Sequence, residues 1–423
     1  MFGTRTFAAA VFAFSAGAAG ALAQTPPGPP APAASPAASP APSPSPSAAP
    51  TPTPHVWQLA AFSDIGFTSV AGTDAVRFVD GAPSRVFDGG NGPFFDSNGG
   101  RLIAGPNNFN NVPNVQNVNL QLTVNPAGRF GGKIETSLGT DADFLASNGQ
   151  PRSSTNLTQA YLQYAAGPAT VIAGKFAGLA GYEVAEAPGN VNFSRDYLYA
   201  AVMSTVSGAR VSFVANPKVT LIAGANNGWD DWKFAGKKKT LEGSLALTPS
   251  PGYSVNLTTY NGSDFLVSGN SAAGTPPIYT NRMLYDGILT IHATGALTLV
   301  ANVDNATQLG SPLAGLSSQH WAGIAGYAIY QFTPKYGLAL RKETFRDAQG
   351  FRTGAGVPLR IQTSTATLNY TPTSNFILRL EYRLDASDGD NFAFRHTGGD
   401  PAALLTGRPN QSSIGVEGVV KVP

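Results

Sequence analysis

Through most of this chain apolar and polar residues change places at every second position. The clearest stretch is Phe376-Ile377-Leu378-Arg379-Leu380-Glu381-Tyr382-Arg383-Leu384-Asp385, where every even position is apolar and the odd positions from 379 onward are charged. Period two predicts a β-strand whose two faces meet different surroundings, one suited to lipid and one to water. The same alternation sets Val118, Leu120, Leu122 and Val124 against Asn117, Asn119, Gln121 and Thr123. It recurs where Leu241, Leu245 and Leu247 alternate with Thr240, Glu242 and Ser244, and where Ile414, Val416 and Val420 alternate with Ser413, Glu417 and Lys421. A soluble β-sandwich alternates as well, so the period alone does not choose between them.

The breaks between the alternating runs carry more information. Tight turn signals stand at residues 125–128, 166–168, 216–218, 249–252, 294–295, 333–335 and 371–374, each built from Gly, Pro, Asn, Ser or Thr. Between them lie long polar connections rich in Gly, Asn, Asp and Ser. Strict alternation of short and long connections is the plan of a transmembrane barrel with tight periplasmic turns and long outer loops. Those turns, with a first strand near residues 56–67 and a last near 412–422, predict an all-β antiparallel barrel of about sixteen strands. Phe130, Tyr164, Phe213, Tyr253, Tyr336, Tyr370 and Phe376 all fall near the tight turns with apolar-face parity, as an aromatic girdle at one membrane interface requires.

Composition fits that plan. Charged residues are 12% of the chain and Lys+Arg 27 nearly balances Asp+Glu 25, which argues against a nucleic-acid partner. Mean hydropathy is −0.05, too low for a polytopic helical protein. Arg5 precedes an apolar run from Phe7 to Ala19, and Ala21-Leu22-Ala23 offers small residues for cleavage, so residues 1–23 are expected to be a signal peptide. Residues 24–54 consist almost wholly of Pro, Ala, Ser and Thr and are expected to form an extended spacer without a core. The barrel then occupies residues 55–423.

If the apolar parity faces lipid, the other parity lines the interior with Lys133, Glu135, Gln159, Gln163, Arg210, Arg341, Glu343, Arg379, Glu381 and Arg383. A barrel of about sixteen strands leaves room for water inside, so these charges are candidates for a pore wall. The third long connection, residues 177–205, joins the predicted fifth and sixth strands and holds Tyr182, Glu183, Glu186, Arg195 and Asp196 between Gly hinges. Folded inward, its acids against Arg195 would form a constriction with a transverse field, and the balance with the wall arginines leans toward anions; an ordinary solvated surface loop is the other reading.

Several short motifs carry a resemblance. Arg85-Val86-Phe87-Asp88, Gly174-Lys175-Phe176, Gly181-Tyr182-Glu183, Asn-x-Asn-Phe-Ser-Arg at 190–195 and Asn227-Gly228-Trp229-Asp230 together make the chain from about Trp57 onward similar to the OmpL-like β-barrel porin family of bacterial outer membranes. The resemblance implies passive diffusion of small hydrophilic solutes or ions, no cofactor, outer-membrane lipid, lipopolysaccharide and the barrel assembly machinery as partners, and leaves room for a homotrimer. Many such barrels end in Phe, whereas this sequence ends Val422-Pro423. The rival reading is a structural or adhesive barrel whose lumen is plugged and whose Pro-rich segment tethers it to the envelope.

Other chemistry finds little support. His55, His292, His320 and His396 form no metal-binding spacing, and there is no cysteine. GxSxG and phosphate-loop motifs are missing, so no enzymatic role is expected. Asp385, Asp388 and Asp390 cluster around Gly389 as a weak calcium candidate without EF-hand spacing, and a solvated acidic loop is the simpler reading.

Overall fold

The computed structural model describes residues 57–70, 113–124, 129–147, 150, 153–233, 238–267, 276–353, 358–388, 392–394 and 406–422. The leader, the spacer, the Arg85-to-Asp88 motif and Asp390 lie outside the described residues.

The alternating runs become sixteen antiparallel strands that close on themselves: β1 (Trp57–Val70), β2 (Asn114–Val124), β3 (Phe130–Leu138), β4 (Thr155–Ala166), β5 (Ala169–Ala177), β6 (Thr205–Asn216), β7 (Val219–Asn226), β8 (Thr240–Ser250), β9 (Tyr253–Val267), β10 (Ile278–His292), β11 (Leu297–Gln308), β12 (Gln319–Thr333), β13 (Tyr336–Asp347), β14 (Leu359–Thr373), β15 (Phe376–Ser387) and β18 (Asn410–Val422). A two-stranded hairpin, β16 (Phe392–Phe394) with β17 (Thr406–Arg408), stands in the last long connection. Each strand pairs with its sequence neighbours, and β1 pairs with β18, placing Phe67 opposite Val416 and Ser63 opposite Val420. Closure removes sheet edges and satisfies backbone groups that lipid could not.

Register fixes which face each residue takes. In β15, Leu378, Leu380, Tyr382 and Leu384 are exposed on the outer face, while Arg379, Glu381, Arg383 and Asp385 are buried inside. Leu120, Leu241, Ile414, Val416 and Val420 face outward as the alternation predicts. Phe130, Phe213, Tyr253 and Tyr336 are exposed near the short turns, Phe130 lies 5.0 Å from Tyr164, and Tyr336 stacks on Tyr370 at 4.7 Å. The aromatic girdle is therefore present at the end of the barrel that carries the short turns.

Two long connections turn inward. The one after β3 carries a single helical turn, α1 (Thr140–Phe144), against β2, β3 and β4. The one between β5 and β6 carries a second, α2 (Tyr197–Ala201), packed on β12 and β13 across the lumen. Both α2 and its approach sit where the strands' inward faces meet, in a cluster of Phe176, Tyr197, Leu198, Val202, Met203, Tyr260, Leu284, Trp321, Phe345 and Ile361.

Candidate functional site

The connection between β5 and β6 leaves the wall at Gly178, whose backbone N–H donates to Ser204 O at 2.9 Å, so its two ends are tied together. From there its outgoing arm binds the opposite wall strand by strand. Leu179 N donates to the Tyr260 hydroxyl (2.7 Å), Gly181 N to Asp286 Oδ2 (3.3 Å) and Tyr182 N to Asn302 Oδ1 (2.9 Å), on β9, β10 and β11 in turn. Gly181 takes φ of 92°, a conformation that a side chain would strain, and the bend lets the chain follow the wall.

Glu183 comes next and ends in a pocket on β12 and β13. Its Oε1 meets Arg341 Nη1 at 2.6 Å, with the two side chains 2% and 0% exposed. Arg341 reaches the returning arm as well, donating from Nη1 to Ser194 O (2.7 Å) and from Nη2 to Ser194 Oγ (3.0 Å), so one guanidinium bolts both arms. On β15, Glu381 accepts from Phe193 N (2.8 Å) and Ser194 N (3.0 Å), and Arg383 Nη1 donates to Arg195 O (2.7 Å). Arg379 donates from Nη2 to Ala187 O (3.1 Å) and Asn190 O and pairs with Glu417. Glu343 accepts from Tyr197 N at 2.7 Å and so holds the start of α2.

The other site residues expected from the sequence are placed as follows. Arg195 is 2% exposed and donates to Val184 O, Ala185 O and Phe193 O at 2.9 to 3.0 Å, so it braces its own loop from within. It does not face the acids across an open gap, because Glu183 is taken by Arg341 and by Asp196 N (2.7 Å). Asp196 receives the Tyr327 hydroxyl at 2.5 Å and Tyr199 N at 2.7 Å. Burial, then the Glu343 charge, pushes the Asp196 carboxyl up to about 6. Burial and the Glu135 charge push Glu186 up as well, to about 7. Tyr182 packs 4.8 Å from Tyr327. Lys133 pairs with Glu135 at 2.6 Å, and Arg210 pairs with Glu242 at 2.6 Å. The expected wall charges thus point inward as their parity requires, and each described arginine among them has a local carboxylate.

In the weak calcium candidate, Asp385 Oδ1 accepts from Arg383 Nε (2.9 Å) and Thr363 Oγ1 (2.8 Å), whereas Asp388 Oδ1 accepts from Arg360 N (3.0 Å). The two carboxylates serve separate partners, and among the described residues no three His, Asp or Glu side chains converge for a metal.

Sequence reasoning missed the apolar seat for the loop. Leu284 and Ile288 share the inward face of β10 with Arg282 and Asp286, and Phe345 shares that of β13 with Arg341. The signal was available: apolar side chains interrupt the polar parity on adjacent strands, which open water would not favour. It also missed the anchors Asp286, Asn302 and Tyr327, and Asp230, whose Oδ1 accepts from Ser204 N (2.8 Å) and Thr205 N (2.9 Å) where the loop rejoins the wall. Arg282 is a further unread charge: it pairs with Asp264 at 3.3 Å and lies 4.8 Å from the Trp229 ring and 5.7 Å from the Trp321 ring.

A sixteen-strand barrel with an outward apolar band, an aromatic girdle and a loop folded into a charged interior defines the class of outer-membrane diffusion channels. The chain belongs to the family described as putative beta-barrel porin-2, OmpL-like, whose model matches residues 90–421. It is a porin of the bacterial outer membrane, a channel for passive diffusion. No curated protein sequence matches it. Among solved structures it is similar to the outer membrane channel DcaP of Acinetobacter baumannii, with TM-score 0.56, 12% identity, and 87% of this chain and 97% of that one covered. It is also similar to OmpT of Vibrio cholerae in its trimer form (TM-score 0.53, 11% identity, 87% and 99% covered) and to the anion-selective porin of Comamonas acidovorans (0.53, 10%, 87% and 100%).

Proposed function

We propose that the barrel passes small hydrophilic solutes and ions along the part of its lumen that the inward loop leaves to water. One observation carries this reading. Inward residues nearer the short turns keep partial exposure, Lys133, Gln163 and Ser212 on one side of the barrel and Asn256, Thr290 and Gln331 on the other, whereas inward residues at mid-height, among them Glu135, Arg210, Asn302, Arg341 and Glu343, are buried. The loop therefore narrows the lumen at mid-height and leaves the end that carries the short turns open to water. Because Arg210, Arg341, Arg379 and Arg383 are each ion-paired, their charges largely cancel locally and the charge preference is weak.

The proposal includes no enzymatic step. It includes removal of residues 1–23 on export, a spacer at 24–54, contacts with lipid and lipopolysaccharide, insertion by the assembly machinery and a homotrimer, the last supported by the trimer form of the similar Vibrio cholerae protein. The test is single-channel conductance of the mature protein in a planar bilayer under a salt gradient. Stable steps with a reversal potential near zero are expected. A strongly selective potential would overturn the cancellation argument. Silence from a folded barrel would favour the plugged structural reading, for which the apolar packing of α2 on β12 and β13 speaks.

A further inference from the structure

One group of buried oxygens lies apart from the loop's ion pairs, at the seam of β1, β2 and α1. Asp64 on β1 stands directly opposite Asn117 on β2, and directly opposed residues carry Cβ atoms about 5 Å apart on one face. The register shift after Asp64 marks a bulge in this strand pair, and both side chains point inward, each 1% exposed. The segment carrying α1 closes over them: Gly139 has φ of 116°, and its backbone lies so close to Val115 O and Gln116 O that a Cβ would not fit. Thr140 and the 4%-exposed Asp141 follow Gly139 directly and open α1, which packs on β2 beside Asn117's strand neighbours. Burial and then the Asp64 charge are what raise the Asp141 carboxyl above its ordinary range, so the two carboxylates act on one another directly.

Each of these groups leaves one oxygen unsatisfied. Asp64 Oδ1, Asn117 Oδ1, Thr140 Oγ1 and Asp141 Oδ1 are buried without a hydrogen-bond partner. Nearby cations do not supply one. Arg195 spends its three nitrogens on loop carbonyls, and Arg379 spends its own on Asn369, Glu417, Ala187 and Asn190. A buried acceptor without a donor is costly, and the Arg195 charge, whose nitrogens are spent on the loop, offsets only part of the cost of burying Asp141 beside a second acid. A proton shared between the two acids would relieve them, but it would leave the neutral amide oxygen of Asn117 and the Thr140 hydroxyl as they are. A hard cation takes carboxylate, amide and hydroxyl oxygens together, with water completing six to eight ligands.

We propose that Asp64, Asn117, Thr140 and Asp141 bind one divalent cation of the calcium type, which fastens the connection between β3 and β4 to the barrel wall. Two carboxylates would balance its charge. The site is distinct from the Asp385 cluster, whose acids have protein partners.

The test is titration calorimetry of the folded, chelator-treated protein in detergent with calcium chloride, paired with thermal unfolding. One calcium per chain and a rise in Tm are expected, with Asp64→Asn and Asp141→Asn each weakening binding at least tenfold and Asp388→Asn leaving it unchanged. Asn117→Ala removes no charge, is expected to fold, and should weaken binding severalfold. No binding at millimolar calcium, or a stability that falls as pH rises and ignores calcium, would overturn the proposal in favour of a shared proton or trapped water. Binding lost in Asp388→Asn but kept in Asp64→Asn would overturn it by placing the cation in the outer loop.

Discussion

Replacing Arg341 by Met should free the inward loop rather than merely change the sign of the lumen. The guanidinium holds Glu183 on the outgoing arm at 2.6 Å and the Ser194 carbonyl on the returning arm at 2.7 Å, and it is fully buried. Methionine keeps much of the volume but leaves Glu183 without its ion-pair partner, while Glu343 keeps Arg383 at 3.9 Å. Removing one member of a buried pair costs about 3–5 kcal/mol, so the population of undocked loop should rise about a hundredfold to several thousandfold. Two recordings check this. Single-channel traces should show larger and noisier conductance, and liposome swelling should admit a solute that the parent protein excludes.

The pair can be separated from the charge by a cycle. Glu183→Leu together with Arg341→Leu removes both ions, and the double variant should lie closer to the parent than either single one, because no buried charge is left unpaired. If Arg341→Met shifts only the reversal potential, at parental conductance and noise in a fully folded barrel, then Arg341 is an exposed wall charge. The bolt would then have no part in holding the loop.

Two further outcomes follow from the same geometry. Asp196 is raised from 3.8 to about 6 in the docked loop, so that state binds more protons than the undocked one between those values. Docking is therefore strongest below pH 4 and weakens by about 3 kcal/mol at most as pH rises to 6, with no further change from this group above it. Conductance noise should climb across that window in the parent and climb less in Asp196→Asn, where Glu186, raised to about 7, still titrates; a variant with the full parental pH response between 4 and 6 would remove Asp196 from the docking balance. On the outer face, Leu380→Lys should cost about 2–4 kcal/mol in reversible folding into vesicles, and a neutral result would show that β15 turns the other face to lipid.

The barrel was legible because membrane strands obey a local rule. In β15 each residue's face follows from its parity, so Leu380 and Glu381 could be assigned without knowing what either touches. The turns were legible for the same reason: tight connections confine Gly, Pro and Asn to a few positions, and their spacing counted the strands. The interior was legible only as a list. Parity placed Arg341, Arg379 and Arg383 inside, but the loop atoms they hold lie more than a hundred residues away, and nothing local records that Glu183 meets Arg341 or that Glu381 holds Phe193 and Ser194.

That distinction bears on how such a lumen works. A charge on the wall of an open pore acts on ions, whereas a charge matched by a loop acts first on the loop. Glu381 illustrates the second case, since both of its oxygens accept backbone N–H groups of Phe193 and Ser194 and Oε2 also accepts from Thr367. Removing its charge would change the fit of the loop before it changed the field in the channel. The apolar seat reinforces this, because Leu198 on α2 lies against Gly323 of β12, where a Cβ would not fit beside it. Polar bolts fix the direction in which the loop crosses, and the apolar seat makes leaving the wall costly. Selectivity in this barrel is therefore expected to follow loop position more closely than the sum of its inward charges.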